Sequence, residues 1–79
     1  MKPSDILRKY GWIQWYRGNK AIGFCLMGAI MEAYRSVPRR RLAVTTLTHL
    51  TKSRFLDTWN DTEGRTKRQV LALLRRAGQ

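Results

Sequence analysis

Cys25, His49 and the adjacent Asn60 and Asp61 are the residue types of a thiol hydrolase: a sulfur nucleophile, an imidazole base and a side chain to orient it. Their spacing does not require them to meet. Cys25 stands inside the apolar run from Ala21 to Met31, where a lone cysteine serves as a small buried hydrophobe, and His49 stands beside Leu50. One cysteine, one histidine and scattered carboxylates match no zinc or calcium ligand spacing. Gly18, Gly23 and Gly28 miss the spacing of a phosphate-cradling loop. The chain is therefore expected to be no enzyme, and to use no metal, no cofactor and no small-molecule substrate. Asn60-Asp61 reads instead as a turn device, each side chain able to bond backbone N–H groups two residues on.

The chemistry that the composition does favour is ionic. Sixteen Lys and Arg, eleven of them arginine, stand against five Asp and Glu, for a net charge of +11. Such a surface attracts polyanions and speeds association with them. Two clusters stand out. Arg39, Arg40 and Arg41 follow Pro38, and Arg65, Lys67 and Arg68 surround the start of the last helix. Both occupy the positive end of an expected helix, where cations cost stability, so a partner is the natural reason for them. Trp15 and Arg17, in the run Trp12-Ile13-Gln14-Trp15-Tyr16-Arg17, add a stacking surface beside a cation. These eight residues are the candidate binding set. The expected partner is nucleic acid or an acidic or nucleoprotein complex. The alternative is a protein-directed inhibitor of a host defence or nucleic-acid-processing enzyme, such as an anti-CRISPR, that binds acidic surfaces. A helix-turn-helix is not expected, because Asp57 to Arg65 is far longer than the roughly three or four residues that motif allows.

Several elements must hold these residues. Ser4 as N-cap and Asp5 in the first turn start a short helix that carries Ile6, Leu7 and Tyr10 on one face and ends at Gly11. Gly18-Asn19, between aromatic and β-branched residues, predicts the two-residue turn of one short hairpin within residues 12–24. Alternation along such a hairpin sends Trp12 and Trp15 to opposite faces, leaving an aromatic exposed. Cys25 to Arg35 is apolar on nearly every side and predicts a buried central helix; Gly28 and Ala29 in its middle imply a closely packed neighbour.

From Arg39 to Lys52 the pattern is divided. Ala43, Leu47 and Leu50 recur at helical spacing, whereas Thr45, Thr46, Thr48 and Thr51 suit a strand; the reading is helix. Phe55, Leu56 and Trp59 should anchor a loop before the final helix. That helix begins at Thr66, whose spacing to Gln69 is a capping box. It carries Val70, Leu71, Leu73, Leu74 and Ala77 as its apolar stripe and stops at Gly78.

The fold class is thus mainly α with one short hairpin, in a single compact domain spanning residues 1–79. A chain of this size buries only roughly 60% of its unfolded surface. One cysteine forbids an internal disulfide and suits a reducing compartment. The longest apolar run is too short to span a bilayer, and Met1 to Asp5 lack the apolar core of a signal peptide. No membrane association and a cytoplasmic location in a bacterial host cell are expected.

Gly11-Trp12, the helix motif Cys25-Leu26-Met27-Gly28-Ala29, and Trp59-Asn60-Asp61 followed by Gly64-Arg65-Thr66 resemble an uncharacterised family of small proteins from bacteria and their phages. The resemblance implies a helix-rich domain and carries over no catalytic residue. This chain is more basic than the family pattern, which turns attention to the added arginines.

The capping box yields the first expected outcome. Thr66→Ala should destabilise the protein by about 0.5–2 kcal/mol, read as a lower midpoint in chemical denaturation. An unchanged midpoint would show that the last helix starts elsewhere.

Overall fold

The computed structural model describes residues 1–79. Five helices and a two-stranded hairpin follow one another as α1 (Pro3–Tyr10), β1 (Gly18–Asn19), β2 (Gly23–Phe24), α2 (Leu26–Ala33), α3 (Val37–Thr51), α4 (Leu56–Asn60) and α5 (Lys67–Arg76). One apolar core unites them. Leu7, Leu26, Ile30, Leu47, Leu56, Val70 and Leu74 are fully buried and come from all five helices. No helix is long and apolar enough to cross a membrane.

The first helix starts two residues before the expected cap. Lys2 is the N-cap and Pro3 opens the first turn, where its missing N–H is no loss. The Asp5 carboxylate accepts the Lys2 N–H at 2.9 Å. Ser4 is buried within that turn, and its hydroxyl donates to the Gln79 carbonyl at 3.0 Å. A serine that looked like a cap is instead a tie between α1 and the last residue.

The hairpin forms, but its turn lies further on than expected. Gly18 and Asn19 are strand residues, paired antiparallel with Phe24 and Gly23, and Lys20 to Ile22 make the turn. Asn19 Oδ1 accepts the N–H groups of Ala21 and Ile22, at 2.8 and 3.1 Å, so the side chain closes the turn from its first strand. The expected two-residue turn fails because Gly18 and Asn19 carry the pairing themselves.

Cys25 is the N-cap of the central helix, its Sγ accepting the Gly28 N–H at 3.3 Å. The close neighbour at Gly28 is real: a Cβ there would stand 2.2 Å from the Arg17 carbonyl oxygen. Glycine is the one residue that lets this strand-side backbone lie on α2. The helix ends at Ala33, before the expected Arg35.

Residues 37–51 are helical despite four threonines. Thr46, Thr48 and Thr51 turn their hydroxyls back to the carbonyls of Leu42, Thr45 and Leu47 at 2.9–3.0 Å. Bonding back to the preceding turn satisfies a hydroxyl inside a helix, and burial of Ala43 and Leu47 decides the conformation. The segment around Trp59 is the short helix α4, not a loop, and Phe55 at its start is exposed.

The last helix follows expectation. Thr66 Oγ1 accepts the Gln69 N–H at 3.2 Å, while Gln69 Oε1 accepts the Thr66 N–H at 3.0 Å. At the far end Gly78 takes φ +71°, with the Gln79 N–H on the Leu74 carbonyl and the Gly78 N–H on that of Arg75. That pair of bonds is the Schellman closure, which requires a left-handed residue at Gly78.

Asn60 knits the halves together and is wholly buried. Its Oδ1 accepts the Trp12 indole N–H at 2.6 Å and the Leu26 N–H at 3.0 Å. Its Nδ2 donates to the Ile13 carbonyl at 3.2 Å and to Asp61 Oδ1 at 3.0 Å. The turn role expected of Asn60-Asp61 is therefore structural, but its backbone partners lie far back in the chain. Asn60→Ala should cost about 2–4 kcal/mol in chemical denaturation, because each buried group left unpaired costs about 1–3 kcal/mol. A loss below about 1 kcal/mol would mean that solvent replaces the Asn60 amide for its partners.

Candidate partner-binding surface

The candidate cations divide into those the fold uses and those it leaves free. Arg39, Arg40 and Arg41 lie in the first turns of α3, which Ser36 caps by accepting the Arg39 N–H at 3.5 Å. Arg40 is half-buried, donating to the carbonyls of Tyr34 and, at 3.0 Å, of Met31. These are the end carbonyls of α2, the negative pole of that helix, so the conflict with α3 is offset by a favourable site on its neighbour. Arg39 lies 4.7 Å over the Tyr34 ring, and Arg41 is exposed.

The second cluster divides in the same way. Arg65 stacks 3.9 Å over the Trp59 ring and donates to the Trp59 carbonyl at 3.0 Å, fastening the turn before α5. Lys67 and Arg68 are exposed on the first turn of α5, and with Arg75 they line one side of a shallow groove over Leu71 and Ala72. Arg75 stands on the same helix face by its spacing from Arg68, two turns along.

Arg17 joins the first cluster in space. With Lys20, Arg35 and Arg40 it lines a groove of about 350 Å³ over Gly28. Glu32 is the one acid there, paired to Lys20 at 3.8 Å. Lys20 and Arg35 were missed by reasoning from charge runs, since each is isolated in sequence. The hairpin turn next to Lys20 and the helix stop near Arg35 were the signals available. Of the sixteen cations only Arg8 and Lys20 reach a carboxylate.

Trp15 is exposed, as the expectation of an outward aromatic requires, and Tyr16 is exposed beside it. Trp15 adopts φ +77°, a left-handed conformation that costs a bulky residue about 1–2 kcal/mol. Asp61 Oδ1 accepts the Trp15 N–H at 2.8 Å, and the Gln14 amide donates to the carbonyls of Asn60 and Thr62. The loop that presents the indole is thus fixed from below.

Trp15, Tyr16 and Arg17 border a second pocket of about 250 Å³, closed by Cys25, Met27, Asp57 and Asp61. Burial pushes the Cys25 thiol up, and the Asp57 and Asp61 charges add to this against the lowering effect of the Gly28 N–H. His49 borders a different pocket, with Thr45, Lys52 and Arg54, so the thiol-hydrolase residues are not brought together. No group of three or more His, Cys, Asp or Glu side chains is arranged to hold a metal ion.

Fold and surface together define a small, basic, α-rich domain with unpaired cations around its grooves. The chain belongs to DUF6197, a family of unknown function, whose model matches residues 3–79. No curated protein and no solved structure matches it.

A buried, upward-shifted thiol should be slow to react, because the thiolate is the nucleophile. Native Cys25 should therefore label with a disulfide reagent far more slowly at pH 8 than it does in the denatured chain. Equal rates would show a reactive, accessible cysteine.

Proposed function

We propose that the protein is a non-enzymatic binding protein that acts on nucleic acid or a nucleoprotein complex, as an accessory factor of a phage or mobile element in a bacterial cell. The observation that carries this reading is the imbalance of paired and unpaired charge. Five carboxylates serve sixteen cations, and most guanidinium groups outside the fold's own contacts face solvent. Arg17, Lys20, Arg35 and Arg40 line one groove, and Lys67, Arg68 and Arg75 line another. Backbone phosphates are the polyanion that such rows suit, since each contact releases condensed counterions. The sequence resemblance to bacterial and phage proteins supports the setting.

The second reading, a protein-directed inhibitor, draws support from exposed apolar side chains beside cations. Leu42 follows Arg41, and Phe55 follows Arg54, both strongly exposed. Apolar and arginine side chains together are usual at protein interfaces. Capture from host lysate separates the readings: loss on nuclease treatment favours nucleic acid, and a nuclease-resistant partner of fixed stoichiometry favours the inhibitor.

Binding of a labelled duplex, followed by anisotropy from low to moderate salt, tests the leading reading. With four to six phosphates neutralised, log affinity should fall against log salt with a slope of roughly −4 to −5. The double variant R39E/R41E should weaken binding at least roughly tenfold if each lost phosphate contact shifts affinity as counterion release requires. Arg40 is left in place because it holds the end of α2. Unchanged affinity in the double variant would remove the first cluster from the interface.

A further inference from the structure

Resting on the nucleic-acid reading above, we propose that the pocket beside Trp15 receives one unstacked guanine base of a single-stranded segment. The phosphates of that segment would follow Arg17 into the adjoining cationic groove.

The pocket has the parts that a base requires. Its volume of about 250 Å³ lies below the roughly 300–1,000 Å³ of sites for drug-sized ligands, leaving room for a single planar ring system. Trp15 and Tyr16 border it and are 70% and 71% exposed, an unusual state for two adjacent large aromatics that the core could have used. Unstacked bases are held by such rings in single-strand recognition. The backbone that carries the indole is held by Asp61, which accepts the Trp15 main-chain N–H, so the segment that presents the stacking surface is in place before any ligand arrives.

The carboxylates choose the base. Asp57 and Asp61 line the same pocket, and neither takes part in an ion pair on this strongly basic chain. A carboxylate is acceptor-only, so it favours an edge that offers adjacent donors. Guanine offers N1–H and the N2 amino group side by side. Adenine and cytosine offer one amino group next to a ring nitrogen acceptor, and uracil or thymine offers one N–H between two carbonyls. Asp57 is the free member, because Asp61 is already engaged with Trp15 and Asn60.

Charge distinguishes a base from the other guest that aromatics and carboxylates suit, a cationic side chain. Arg17 borders both this pocket and the neighbouring groove, where Lys20, Arg35 and Arg40 also stand. The pocket's own lining carries two carboxylates against Arg17, but the cationic groove beside it and the net charge of +11 oppose the approach of a basic partner and suit a neutral base attached to phosphate. The two cavities meet at Arg17, and this continuity is what a strand with one base turned inward would occupy.

The test uses the intact protein and oligothymidine strands bearing one central guanine, hypoxanthine or adenine, titrated at low salt by anisotropy and by tryptophan emission. The guanine strand should bind on the order of tenfold more tightly than the adenine strand, with hypoxanthine between them, because one paired contact to a base edge is at stake. It should also quench emission, and Trp15→Phe should remove the quenching while keeping part of the affinity. Asp57→Asn should erase the guanine preference with salt-dependent binding retained; the thermal midpoint of each variant checks that it folds. Equal binding of all three strands with ordinary salt dependence would overturn the base pocket and leave the phosphate-binding reading intact. Failure to bind any strand or duplex would overturn both. Quenching by an arginine-rich peptide, without any preference for guanine, would assign the pocket to a cationic partner and overturn the proposal.

Discussion

A single amide holds this small domain together. Asn60 uses both lone-pair directions of its oxygen and both hydrogens of its nitrogen, and it does so with no solvent access. Its partners are the indole of Trp12, the first N–H of α2, the carbonyl of Ile13 and the neighbouring Asp61. Each net bond contributes only about 0.5–1.5 kcal/mol, but each group it satisfies would otherwise be buried without a partner. The amide therefore sets where the residue 12–17 segment crosses the core. Only 18 of 79 residues are buried, so apolar burial alone specifies that path weakly, and a polar hub supplies the specificity.

Cationic side chains form a second level of the same organisation. Arg40 closes the end of α2, and Arg65 lies on Trp59 while bonding its carbonyl. These two arginines behave as planar, multi-donor struts, a use for which lysine is poorly suited. Their neighbours Arg39, Arg41, Lys67 and Arg68 stay exposed on the same helix starts. A charge run in a sequence can thus mix struts with free charge. Helix electrostatics alone does not separate them, because the compensating carbonyls belong to a different element.

What the sequence made legible follows from how local each cause is. The capping box of α5 and its Gly78 closure depend on residues within one turn, and both were visible from spacing. The close approach at Gly28 was also visible, since a glycine inside an apolar helix already signals contact; its partner, the Arg17 carbonyl, was not. Thr-rich α3 was ambiguous because threonine propensity favours a strand, and only hydroxyls bonding back to preceding carbonyls, with Leu47 in the core, decide for helix. The hairpin turn was misplaced by its length, since Asn19 closes the turn from within a strand. At the surface, aromatic and cationic interleaving singles out Arg17 and Trp15, which the structure places beside one another at the edge of a pocket. Lys20, Arg35 and Asp57 line the same cavities without such a signal, because their placement depends on which elements lie side by side.

The hub and the exposed aromatic are parts of one device. Asn60 and Asp61 are neighbours in sequence, and one fixes Trp12 and Ile13 in the interior while the other fixes Trp15 at the surface. The segment between these anchors has no room to relax, which is why a tryptophan can be held at a positive φ with its ring in solvent. An exposed side chain ordinarily gains nothing from a strained backbone, and the burial of Asn60 stabilises the strained conformation regardless of any ligand. The strain is thus maintained by the fold's most buried polar contact, and the Trp15 surface persists for as long as the domain is folded. Rigidity of this kind lowers the ordering cost of binding, so a shallow surface on a small protein can still be selective.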